Sequence, residues 1–135
     1  MAKLFLLVDD DNDDAELFSE ALAGINTLVE FHHVQDGPSA FEFMNDSKNK
    51  KPDLIFLDLN MPLMSGWECL AKLKSDTHLR SIPVLMYSTS SYQRDKERAI
   101  ELGAIGFITK PSEYKLLQKT LERIAFSLED LKSVT

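Results

Sequence analysis

A chain of 135 residues fits one domain, and 44% hydrophobic with 27% charged residues is an ordinary globular composition. The net charge of -7 argues against sequence-independent binding to nucleic acid, which needs a dense basic face, and against docking on an anionic membrane. No apolar run approaches the roughly 20 residues of a spanning helix, Met1 to Val8 runs straight into acids and is no signal peptide, and Cys69 is the only cysteine, which together predict a cytoplasmic protein without an internal disulfide.

Leu4 to Val8 is the first short apolar run, and it ends in Asp9-Asp10-Asp11. Ala15, Phe18, Ala21 and Leu22 then recur at helical spacing, with Gly24 where a helix would stop. Asp13 and Asp14 are expected to cap that helix, since acids favour a helix N-terminus. Val29 to Val34 is a second apolar run, interrupted by His32 and His33, which show no metal spacing. A turn at Asp36-Gly37-Pro38 leads to the helical stretch Ser39 to Met44, and 46–51 reads as a solvated loop. Leu54 to Leu57 ends at Asp58; Trp67, Leu70 and Leu73 follow Ser65-Gly66 at helical spacing. Val84 to Tyr87 ends in Ser88-Thr89, and Ser90 or Ser91 is expected to cap the helix that carries Ala99, Ile100 and Leu102 before Gly103. Gly106 to Ile108 leads to Lys110-Pro111, and Tyr114, Leu117, Leu121, Ile124 and Leu128 form a last helical stripe. The domain is expected over 1–127, with 128–135 the end of the last helix or a frayed tail; exposure of Leu128 and Leu131 would hint at a partner contact.

Continuous apolar runs of four to six residues suit strands buried on both faces. Five of them alternating with five helices predict an α/β fold with right-handed crossovers and a parallel sheet covered on both faces. In such a sheet ligands bind beyond the carboxyl ends of the strands. Asp9 and Asp10, Asp58, Ser88 and Lys110 all stand at such ends, so they are expected to meet in one pocket. Crowded carboxylates cannot all stay ionised without a counterion. A hard cation with oxygen ligands meets that need, and Mg²⁺ suits it best because it leaves positions for phosphoryl oxygens. Three acids against Mg²⁺ and Lys110 balance at zero charge. Asp58 is the candidate nucleophile for a phosphoryl group.

Taken together, Val8-Asp9-Asp10, Leu57-Asp58-Leu59-Asn60-Met61-Pro62, Gly66, Ser88, Gly103-Ala104, Gly106-Phe107 and Lys110-Pro111 resemble the receiver domains of two-component response regulators, in order and spacing, over Lys3 to about Phe126. The segment after Asp58 and Ser88-Thr89-Ser90 look most like the stand-alone type, including those that partner bacterial phytochrome-type histidine kinases. The resemblance implies a flavodoxin-like doubly wound sheet in the order 2-1-3-4-5. It implies that Asp58 is the phosphoacceptor of a phosphorelay, served by a histidine kinase or phosphotransfer protein. Asp10 and Asp58 would bind Mg²⁺ directly with the Asn60 carbonyl, and Asp9 through water. Ser88 would hydrogen-bond the phosphoryl group, Phe107 would move inward as the switch aromatic, and Lys110 would pair with the phosphoryl oxygens, with a cis bond before Pro111. A downstream protein would read the face of the fourth helix, fifth strand and fifth helix; a homodimer is left open. Two departures stand out: Thr89 replaces a commonly smaller residue, and Phe107 lacks the hydroxyl of the commoner Tyr.

Two other readings fit less well. Asp9, Asp11 and Asp13 with Glu20 match part of a calcium-loop spacing, but Asp14 stands where that loop needs Gly. A haloacid dehalogenase-like phosphohydrolase also uses an Asp nucleophile, Mg²⁺, Ser/Thr and Lys, but needs a second Asp where Asn60 stands. The sequence therefore predicts a switch that catalyses only its own phosphorylation and dephosphorylation.

Overall fold

A computed structural model describes residues 2–25 and 28–134, with side chains through 128. Ten elements alternate along it: β1 (Lys3–Val8), α1 (Asn12–Ala23), β2 (Val29–Val34), α2 (Gly37–Asn45), β3 (Leu54–Leu57), α3 (Gly66–Ser75), β4 (Val84–Ser88), α4 (Gln93–Glu101), β5 (Gly106–Thr109) and α5 (Tyr114–Val134). The strands form one parallel sheet in the order β2-β1-β3-β4-β5. No helix among the described residues is long and apolar enough to cross a membrane.

Side chains alternate across a strand, so each apolar run feeds two cores. Leu6, Val8, Ile55, Leu57 and Met86 meet Phe41, Leu70, Leu73 and Ala99 of α2, α3 and α4. Phe5, Leu7, Phe56 and Tyr87 meet Phe18 and Ala21 of α1 and Leu117 and Leu121 of α5 on the other face. Phe18 anchors α1 there, packing edge-on against Phe56 at 4.9 Å and Tyr87 at 5.6 Å between ring centroids. The edge strands β2 and β5 are only half-buried, which is why their runs are the least continuous.

Several local expectations are corrected. The cap of α1 is Asp11, whose Oδ1 accepts from the Asp14 amide at 3.0 Å; Asp13 and Asp14 lie inside the first turn. Asp36 caps α2 by accepting from the Ser39 amide, so Gly37 and Pro38 are already helical, with proline in the first turn where its missing N–H is harmless. Neither Ser90 nor Ser91 is the cap of α4; that position is Tyr92, and Ser90 Oγ accepts from its amide while donating to Asp95 at 2.6 Å. The bond before Pro111 is not cis, nor is any other among the described residues; Lys110 meets Asp9 and Asp14 from the trans form, and a trans X-Pro bond is the ordinary preference. Tyr114 leaves the α5 stripe and is exposed, whereas Leu128 packs against the second core; the Leu131 side chain lies outside the described residues.

Candidate metal centre and phosphoacceptor pocket

The carboxyl ends of β1, β3, β4 and β5 gather the predicted residues at one edge of the sheet. Pairing holds each tip in place. The Asp9 amide donates to Val34 O, the Asp58 amide to Val8 O and the Lys110 amide to Ser88 O, at 3.0, 3.0 and 2.7 Å. Asp9 is wholly buried: its Oδ1 accepts from the Asp11 amide at 2.9 Å, and its carbonyl lies 2.7 Å from His33 Nε2. Since a carbonyl only accepts, the proton sits on Nε2, and His33 is a structural prop for the site. Asp58 is also buried, and its Oδ1 accepts from the Leu59 amide at 2.9 Å.

Gly66 makes this approach possible. A Cβ there would stand 2.2 Å from the Asp58 carbonyl oxygen, and the Gly66 amide donates to Leu59 O at 2.7 Å. The N-terminus of α3 is thereby tied under the Asp58 loop.

Asp9, Asp10 and Asp58 each offer a carboxylate oxygen, and these lie within 4.8 Å of one another. Lys110 Nζ sits 2.7 Å from Asp9 Oδ2 and 4.0 Å from Asp58 Oδ2. It is also 2.8 Å from Asp14 Oδ2, a hydrogen bond that the sequence did not announce. Asp9 Oδ2 is fully buried and its contact is this one ammonium. Asp14 also alters the charge balance: four carboxylates now face one ammonium, and a single divalent ion leaves the site negative.

Burial, then the neighbouring Asp9, push the Asp58 carboxyl up to about 7, against the opposing pull of Lys110. Lys110 is raised above its ordinary range: burial opposes its charge, but contact with Asp14 and Asp9 outweighs that. An all-oxygen donor set, more carboxylates than the one ammonium can neutralise and a carboxyl pushed toward its neutral form fit a hard divalent cation. Asp9, Asp10 and Asp58 could hold one.

Ser88 is buried, and its hydroxyl accepts from the Ser90 amide at 3.3 Å. Asn60 is exposed and lines, with Trp67, Thr89, Ser90, Tyr92 and Arg94, an adjoining cleft of about 520 Å³. Phe107 is half-buried against the core of α2, α3 and α4. The calcium-loop reading fails on structure, because Asp11 caps α1 and Asp13 lies within the helix.

The chain as a whole is similar to known proteins. A model of the response regulator receiver domain matches residues 5–122. Response regulator Rcp1 of Synechocystis sp. is 34% identical over 94% of this chain and 90% of its own length. The crystal structure of its Mn²⁺-bound form gives a TM-score of 0.82 over 94% of this chain and 95% of that one. The phosphorylated cyanobacterial phytochrome response regulator RcpA is 36% identical, with a TM-score of 0.82 over 92% and 91% of the two chains. PleD of Caulobacter vibrioides is 30% identical over 98% of this chain, which spans only 29% of PleD.

Proposed function

The chain belongs to the response regulator receiver domain family, and we propose that it is a signalling switch in which Asp58 accepts a phosphoryl group from a phosphohistidine of a kinase or phosphotransfer protein. The observation that carries this reading is the set of three carboxylates within 4.8 Å beside Lys110. Asp10 and Asp58, with the Asn60 carbonyl, would hold Mg²⁺ directly and Asp9 through water. When bound, the ion supplies positive charge for the crowded acids and the incoming phosphoryl oxygens.

The ionised Asp58 carboxylate attacks phosphorus; the new O–P bond forms as the P–N bond breaks, and the electron pair stays on the departing imidazole. Lys110 balances charge on the phosphoryl oxygens. Ser88, which accepts from the Ser90 amide, donates its hydroxyl proton to a phosphoryl oxygen, drawing 88–91 inward. Phe107 follows by packing alone, since it has no hydroxyl to anchor. The two-state change is read on α4, β5 and α5, where Tyr92 and Tyr114 are exposed. No external substrate is turned over: Asn60 offers no acid where a phosphohydrolase needs one.

Acetyl phosphate with Mg²⁺ tests this. The wild type should take up one phosphoryl group per chain, transiently and not in EDTA. Asp58→Ala should take up none while unfolding at a similar temperature. Sustained hydrolysis of phosphate esters, or labelling that survives in Asp58→Ala, overturns the reading.

A further inference from the structure

Asp14 stands outside the acid triad, on the first turn of α1. A Glu or Gln three residues after a helix cap commonly reaches back to the cap amide, which the shorter Asp14 side chain is less suited to do. Asp14 turns instead to Lys110 and accepts from its ammonium at 2.8 Å, sharing it with Asp9 Oδ2 at 2.7 Å. At 4.0 Å, Asp58 Oδ2 lies beyond hydrogen-bond reach of the same ammonium. The cation closest to Asp58 is therefore held by a carboxylate from another element.

Exposure decides which carboxylate can let go. The Asp9 side chain is 0% exposed and that of Asp14 is 33% exposed. Releasing Lys110 would leave Asp9 buried and unpaired, at high desolvation cost, whereas Asp14 would simply rehydrate. An ammonium is a compact charge on a flexible stem, so it can be redirected without moving the backbone. Resting on the reading of Asp58 as phosphoacceptor, we propose that Asp14 is a positioning residue that holds Lys110 in the resting state and competes with the phosphoryl group for it. Asp14 thereby limits the tightness and lifetime of the phosphorylated state.

Beryllofluoride with Mg²⁺, a phosphoryl mimic that binds without turnover, is the probe, and its dissociation constant is measured by calorimetry. Asp14→Asn should bind it about five-fold more tightly than wild type, equivalent to about 1 kcal/mol. It should also keep a label from acetyl phosphate several-fold longer. Asp14→Glu retains the charge and should return to the wild-type value, and added salt should narrow the gap between Asn and wild type. Asp14→Ser, also neutral, repeats the test should Asp14→Asn fold poorly. Neutral variants that bind no tighter than wild type overturn the inference and leave the phosphoacceptor reading intact. Wild type that fails to bind, as Asp58→Ala should, removes that reading and this inference together.

Discussion

Leu63 carries a φ of 70°, the one positive value among the described non-glycine residues, in the loop between β3 and α3. The left-handed region brings Cβ against the following carbonyl, at roughly 1–2 kcal/mol for an L-residue. The residue is 81% exposed, so little packing offsets that strain. Leu63→Gly relieves the clash and loses some backbone entropy in exchange, roughly 0.5–1 kcal/mol. The net expectation is a gain of about 0.5–1 kcal/mol in urea denaturation, with the slope unchanged. A loss of stability instead would mean that Leu63 packs on its loop more than its exposure indicates.

At the scale of elements, the site depends on how closely α3 approaches the tip of β3. The atoms that a Cβ at Gly66 would meet are backbone: Asp58 O at 2.2 Å and Leu59 Cα at 2.7 Å. Neither can rotate away. Gly66→Ala must separate the helix from the loop and carry Asp58 with it, so about 2–3 kcal/mol of stability should be lost, together with most labelling by acetyl phosphate. Retained labelling with wild-type stability would show that the two elements are not rigidly tied. The elements themselves were legible because their signals are collective. β1, β3 and β4 are buried on both faces and read as unbroken apolar runs, and α1 shows Ala15, Phe18, Ala21 and Leu22 on one buried stripe. The meeting of Asp9, Asp10, Asp58 and Lys110 follows from strand direction alone. Single-residue choices were not legible. A shift of the α1 cap from Asp13 or Asp14 to Asp11 turns Asp14 from a cap into the partner of Lys110, and periodicity cannot fix a boundary to one residue. The α4 cap at Tyr92 and the trans bond before Pro111 are hidden for the same reason: each is decided by tertiary neighbours.

For the whole molecule, the raised Asp58 carboxyl couples function to stability. Its ordinary value is 3.8, and in the fold burial and Asp9 lift it to about 7. Between those values the unfolded chain has already released a proton that the folded chain still holds. Stability contributed by the protonated group is therefore complete below about pH 4 and is lost as pH rises through about 7. Asp58→Asn keeps the shape of the neutral carboxyl and cannot ionise. In EDTA, this variant should exceed wild type by an amount that grows from pH 5 to pH 8, reaching on the order of 2–4 kcal/mol. Mg²⁺ should close the gap at pH 8, because an ion that binds only the folded wild type adds stability by mass action and favours the charged carboxylate. Urea denaturation of both proteins at the two pH values, with EDTA and with Mg²⁺, measures all of this. Equal stabilities at pH 8 in EDTA would mean that Asp58 ionises in the fold without penalty. The raised carboxyl would then drop out of the case for a metal, leaving the oxygen donors of Asp9, Asp10 and Asp58 to carry it alone.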